Sequence, residues 1–203
     1  MKKFLIVSLT VLALAAVAPQ PASAGFGIKG GLAQSNLDFS PAALVPLSRL
    51  NAPMGGVYWG FNLGLFTIQP EALYLRMGAR VEDAPDWMED RIEYIQVPVL
   101  LKIKLLPGPV KPVIYGGGYY SFLLTAKGVS YIDGVSDEVD IKDQVKSNDY
   151  GVVFGGGLDF SLAGIKLSAE VRYNLGLANI NNLPDDTTSV KNTSLMFLVG
   201  LGF

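Results

Sequence analysis

Glu170 and Arg172 stand two residues apart in a stretch that alternates polar and apolar positions. Lys29, Asn62, Lys102, Lys104 and Asp159 hold comparable places in other alternating stretches. Carboxylates and cations gathered in one enclosed space could hold a proton or a ligand. They could equally form a structural ion-pair network, because charges withdrawn from water must be paired, and that is the reading adopted for all seven. A second group, Asp133, Asp137, Glu138, Asp140 and Asp143, could ligate calcium or bridge lipopolysaccharide through divalent ions. Its spacing does not match the EF-hand loop with its central glycine, so a solvated acidic loop is expected. No Gly-x-Ser-x-Gly or Ser-x-x-Lys arrangement supplies an activated nucleophile. The chain has no histidine and no cysteine. That removes imidazole bases, zinc sites built on those ligands and disulfide frameworks. Neither a catalytic residue nor a cofactor is expected.

Half of the 203 residues are hydrophobic, 17% are charged and the mean hydropathy is +0.34, a composition too apolar for disorder. A formal charge of −2 gives no basic field for nucleic acid. Part of the apolarity lies at the start, where Lys2 and Lys3 precede the apolar run Phe4 to Ala18 and then Pro19-Gln20-Pro21-Ala22-Ser23-Ala24. Basic, apolar and small-residue segments in that order read as a secretory signal peptide, residues 1–24, cleaved after Ala24. The apolar run is short for a spanning helix. Residue 25 is glycine, so the acylation of a cysteine at that place does not apply. One domain follows, residues 25–203. Lys2 and Lys3 leave with the signal, so 16 basic residues become 14 against 18 acids, a formal −4.

The elements that must position the charged residues repeat with period two. From Ile165 to Leu177 one face carries Leu167, Ala169, Val171, Tyr173, Leu175 and Leu177, the other Lys166, Ser168, Glu170, Arg172, Asn174 and Gly176. The end of the chain repeats this, with Leu195, Phe197, Val199, Leu201 and Phe203 on one face. Between Arg91 and Leu105 the apolar set runs from Ile95 to Leu105, opposite Tyr94, Gln96, Pro98, Lys102 and Lys104. Five more strands are expected at about 25–37, 55–65, 68–80, 113–125 and 149–161. Gln69 and Glu71 share a parity with Leu73, Leu75 and Met77, and Gly116-Gly117-Gly118 erases the contrast in its segment. A bulge or kink is therefore expected near Ala72 and near those glycines. Short connections, near Phe66-Thr67, at 106–112 and at 162–164, alternate with long ones at 38–54, 81–90, 126–148 and 180–192. Most of the acids fall in the long ones.

Eight antiparallel strands with plain turns at one end and long loops at the other outline an all-β, up-and-down transmembrane barrel with short periplasmic turns and long extracellular loops. A secreted soluble barrel binding a small ligand would show the same alternation with the faces exchanged. The loop asymmetry favours lipid outside, as do the aromatic Trp59, Tyr150, Tyr173 and Phe203 towards segment ends. An eight-stranded lumen is just wide enough for side chains to fill, so the inward polar residues should form a packed plug rather than a pore. The expected location is the bacterial outer membrane. The expected partners are its lipid and lipopolysaccharide, the barrel-assembly machinery through the last strand ending in Phe203, and an envelope or secretion protein at the loops. The protein is expected to be a monomer.

Five stretches carry a family resemblance. They are Gly27-Ile28-Lys29-Gly30-Gly31-Leu32 with Ser35-Asn36-Leu37, then Gln69-Pro70-Glu71-Ala72-Leu73-Tyr74, then Tyr94 to Lys102, Phe154 to Phe160, and Glu170 to Leu177. In order and spacing the chain resembles the PorT-like family of small, mostly eight-stranded outer-membrane β-barrel proteins. The resemblance implies fold and location, and for some relatives assistance to protein secretion, but it brings no catalytic motif to match. A non-enzymatic structural or loop-mediated binding role is expected. An outer-membrane lipid-modifying enzyme stands as the alternative, alongside the secreted barrel.

Overall fold

The computed structural model describes residues 24–41, 48–83, 85–162, 165–184 and 187–203. The expected signal peptide lies outside them apart from Ala24, as do Asp185 and Asp186 of the last long connection. Among the described residues ten strands follow one another: β1 (Ala24–Ser40), β2 (Ser48–Leu63), β3 (Phe66–Met77), β4 (Ala79–Asp83), β5 (Asp86–Lys104), β6 (Val110–Ile132), β7 (Val135–Asp140), β8 (Asn148–Leu162), β9 (Ile165–Gly176) and β10 (Ser189–Gly202), with a 3-10 turn at Lys142–Gln144. Among the described residues no helix is long and apolar enough to cross a membrane.

Eight strands close a ring of antiparallel neighbours in the order β1, β2, β3, β5, β6, β8, β9, β10. The seam between first and last runs from Gly27 opposite Gly202 to Ser40 opposite Ser189. Closure leaves the ring no free edge within the belt. A close approach at the seam needs a missing side chain, since a β-carbon at Gly31 would lie 1.9 Å from the Phe197 carbonyl oxygen.

Alternation decides which residues meet lipid. Phe26, Ile28 and Leu32 on β1 point outward, as do Trp59 on β2, Val99 and Leu101 on β5, Phe154 on β8, Val171 on β9 and Phe197 and Val199 on β10. Among the described residues this outward belt carries no charge from the plain end up to the rows of Gln34 and Asn51 on one side and of Arg76 and Glu93 on the other. The stretch Ile165–Leu175 on β9 matches the roughly 9–11 tilted residues that a strand needs to cross the hydrocarbon.

Several expectations are corrected. The first short turn centres on Gly64 and Leu65, not on Phe66-Thr67, with Leu63 opposite Phe66 and Gly64 at φ +71. Glycine at the first central place suits a two-residue hairpin turn. No kink occurs near Ala72, because β3 keeps one register against both neighbours and its inward face simply changes from polar to apolar. The glycine triplet is also unbroken against β8, and the register shift lies instead where Glu93 and Tyr94 face Leu123 to Thr125. Three of the long connections are mostly strand, since within 38–54 β1 runs to Ser40 and β2 starts at Ser48. β4 pairs with β5 up to Asp83 opposite Asp86, and β6 continues into a hairpin with β7. Asp133 (φ 52) and Gly134 (φ 82) form its turn, and Asp-Gly is the favoured pair for two such dihedrals. The barrel therefore rises past the belt as a sheet of β4, β5, β6 and β7.

Candidate functional site

The lumen is filled in layers. Nearest the plain end lies a charged layer from strands that the sequence separates widely. Lys29 of β1 donates to Glu71 of β3 at 2.8 Å and to both carboxylate oxygens of Glu170 of β9 at 2.8 and 2.9 Å. Arg172 grips Glu71 with two parallel hydrogen bonds, 2.7 and 3.1 Å, and reaches Glu170 at 3.3 Å. Lys102 of β5 donates to Glu170 at 2.9 Å and lies 3.6 Å from Asp159 of β8. Lys29, Lys102 and Arg172 balance Glu71, Glu170 and Asp159. The side chains of Arg172, Glu71 and Glu170 are wholly shut from solvent. Two tyrosines complete the layer: Lys29 lies over the ring of Tyr58, and Lys102 and Arg172 lie over that of Tyr115. Such pairing is what permits charges in so dry a place.

Five of the seven residues singled out in the sequence, Lys29, Lys102, Asp159, Glu170 and Arg172, thus meet in one network. Lys104 and Asn62 do not join it. They form a smaller cluster at the plain rim, where Lys104 donates to the Asn62 side-chain oxygen at 2.9 Å and to the Gly64 carbonyl at 3.2 Å. Sequence reasoning missed Glu71, the partner of two cations. Its signal was a parity shared with Leu73, Leu75 and Met77, which was read as a fault in the strand.

Beyond the charged layer the lumen turns polar and neutral, then apolar. Gln96 of β5 donates to Ser121 of β6 at 3.1 Å and accepts from Asn174 of β9 at 2.9 Å. Asp149 of β8, wholly buried, accepts from Asn192 at 3.0 Å and from the Tyr119 hydroxyl at 3.4 Å. Towards the long-loop end Leu37, Met54, Leu73, Leu75, Met77, Ile92, Tyr94, Ile180, Met196 and Leu198 pack into one buried cluster. The expected polar plug is therefore corrected to a half-polar one, with the far half of the lumen sealed by hydrophobic side chains. Close packing of this kind leaves no path for solutes.

Above the belt the outer face of the extension carries ion pairs, one of them, Arg76 with Glu93, directly in register. Arg76 donates to Glu93 at 2.8 Å, Arg91 pairs with Glu89, and Lys127 pairs with Glu138. The hydrogen bond to Glu138 raises the Lys127 ammonium above its usual range. Arg80 lies 4.3 Å over the ring of Trp87, which stacks on Tyr131. All six residues of β7 are exposed, and among the described residues that strand pairs with β6 alone. Met88, Ile132, Val135 and Val139 are large hydrophobics exposed on this extension. Among the described residues no three acidic side chains come together as a metal cage. The acids Asp133, Asp137, Glu138, Asp140 and Asp143 are spread along the hairpin and the turn after it instead.

A family model described as an outer membrane protein beta-barrel domain matches residues 18–182. Among solved structures the chain is similar to Neisserial surface protein A at 15% identity, over 88% of this chain and 97% of that one, with a TM-score of 0.49. It is also similar to Ail, the attachment invasion locus protein of Yersinia pestis, at 15% identity over 88% and 98% with a TM-score of 0.44. The outer membrane enzyme PagL is similar at 11% identity over 87% and 97%, with a TM-score of 0.45. No curated protein matches the chain.

Proposed function

The chain belongs to the outer membrane protein beta-barrel domain family and lies in the bacterial outer membrane, and from that premise we propose that it is a non-enzymatic barrel whose working surface is the strand extension at its long-loop end. That surface binds an envelope or secretion protein. The observation that carries the reading is β7, an exposed strand with one free edge beside the exposed Val135, Val139, Ile132 and Met88. A free edge offers unpaired backbone groups to an added strand, and clustered exposed apolar side chains mark interaction surfaces.

Two further points support it. The lumen is packed shut, so its charged residues hold the ring together and do not conduct. Glu71, Glu170 and the three cations of the buried network hydrogen-bond one another, and Asp159 is held by Lys102 at 3.6 Å, an arrangement that supports a structural role for that layer. Within the family we assign the chain to the PorT-like type, on the five stretches that carry that resemblance, with an accessory role in secretion or surface assembly. Phe203, exposed beside the seam, is the end that the barrel-assembly machinery would take.

The test is a photo-crosslinking residue placed at Val135 or Val139 in intact cells, with Leu167 in the lipid-facing belt as control. The expected result is an envelope protein captured at both β7 positions and not at Leu167, and lost when Asp133 to Asp140 is replaced by a short turn. Lipid adducts alone at β7, or a changed lipid A mass on expression of the protein, would overturn the reading, the latter in favour of an enzyme.

A further inference from the structure

Between the charged layer and the apolar cluster, six buried polar side chains follow one another around the lumen. In the strand registers Asp149 stands opposite Ser121, Ser121 opposite Gln96 and Asn174 opposite Ser194. A hydrogen bond joins Gln96 to Asn174, and Ser194 and Asn192 are alternate residues of β10. The circuit closes where Asn192 donates to Asp149 at 3.0 Å. Four side-chain atoms of this layer make no hydrogen bond: Asp149 Oδ1, Asn174 Oδ1, Asn192 Oδ1 and Ser194 Oγ. All four are oxygens. The orientation of Asn192 is fixed, because turning the amide over would set its oxygen against the Asp149 carboxylate.

The charge of the layer points the same way. Asp149 accepts from the Asn192 amide and the Tyr119 hydroxyl, both neutral. Among the described residues no lysine or arginine pairs with it, and the three cations of the layer below are taken up by Glu71, Glu170 and Asp159. A carboxylate in so dry a place needs a positive partner. We propose that this ring of oxygens holds one dehydrated alkali-metal cation of sodium size. Hard cations take carboxylate, carbonyl and hydroxyl oxygens. One carboxylate among neutral oxygens balances a single positive charge, whereas a divalent ion would leave a buried surplus as costly as the one it removed. A proton on Asp149 would cancel the charge but could serve at most one of the other three oxygens. The cation is enclosed as the ring closes, between the network around Arg172 and the cluster around Leu75 and Met196. It belongs to the folded barrel and does not pass through it.

The test is reversible urea unfolding of the purified protein in phosphatidylcholine vesicles, in mixtures of sodium chloride and N-methylglucamine chloride at constant ionic strength. The organic cation carries the same charge but is too large for the ring. Sodium should raise the unfolding midpoint. Above saturation each tenfold rise in sodium should lower the unfolding constant about tenfold, as one ion bound to the folded state alone requires. Asp149→Asn should fold and lose that dependence, while Asp38→Asn, at an exposed position of β1, should keep it. If Asp149→Asn does not fold, judged by its heat-shifted gel band, Ser194→Ala should fold and need about tenfold more sodium for the same midpoint, the loss of one oxygen ligand. Native mass spectrometry of the protein refolded in sodium should show one retained sodium ion. Equal midpoints in the two salts, undiminished sodium dependence in Asp149→Asn or Ser194→Ala, or its equal loss in Asp38→Asn would overturn the proposal and leave the layer to a proton on Asp149 or to water.

Discussion

Replacing Glu170 by glutamine keeps the shape of the side chain and removes one charge from the centre of the buried network. In the native ring Glu170 accepts from Lys29, Lys102 and Arg172. Without its charge, three cations face only Glu71 and Asp159, and Lys102 is left with Asp159 at 3.6 Å. Removing one partner of a buried pair costs about 3–5 kcal/mol, because the remaining charge cannot return to water. The compensating change is Lys29→Met, which restores two cations against two carboxylates and leaves Arg172 on Glu71 and Lys102 beside Asp159. In the Glu170→Gln background it should recover stability, with a coupling energy of about 0.5–3 kcal/mol between the two positions. The assay is reversible urea unfolding of the four proteins of this cycle in phosphatidylcholine vesicles, followed by tryptophan fluorescence and by gel mobility without boiling. A cost below about 1 kcal/mol for Glu170→Gln, the value of an exposed pair, would refute the reasoning. So would strict additivity of the two changes.

Two other outcomes follow from the orientation of the ring. Val171 is exposed at mid-belt on β9, whereas Leu177 lies just past the end of that strand. Val171→Arg should cost about 2–4 kcal/mol in vesicles and Leu177→Arg distinctly less, since the penalty falls away from the midplane; equal costs would argue against a lipid-facing belt. A protease site inserted between Asp133 and Gly134 should be cut on intact cells and one between Pro107 and Pro109 should not, as judged by blotting, and the reverse pattern would invert the topology.

The strands were legible because alternation is a direct consequence of placing one face against lipid and one inside the ring. Leu167 to Leu175 on β9 shows it best, with Glu170 and Arg172 on the opposite parity. Three things were hidden for physical reasons. The inward face need not be polar, so Leu73, Leu75 and Met77 obscured the meaning of Glu71 on the same face. The contrast that marks a strand in lipid fades once it leaves the membrane, so the charged β4 and β7 read as loop, although Asp133-Gly134 signals their kind of turn. Pairing across the ring, such as Lys29 with Glu170, depends on strand stagger, which local pattern does not encode. The charged layer could therefore be listed residue by residue, but its partners could be assigned only from the closed ring.

The central claim is that the ring is shut and that its work is done at the surface. Its most direct test is ion conductance of the purified protein in a planar bilayer, with insertion confirmed by protection of the barrel from protease. The account predicts a quiet membrane at all voltages tested, because the paired charges around Glu170 and the apolar cluster around Leu75 and Met196 fill the lumen. Stable unitary steps of an open aqueous channel, present in the native protein and altered by substitution of Lys29 or Arg172, would contradict it.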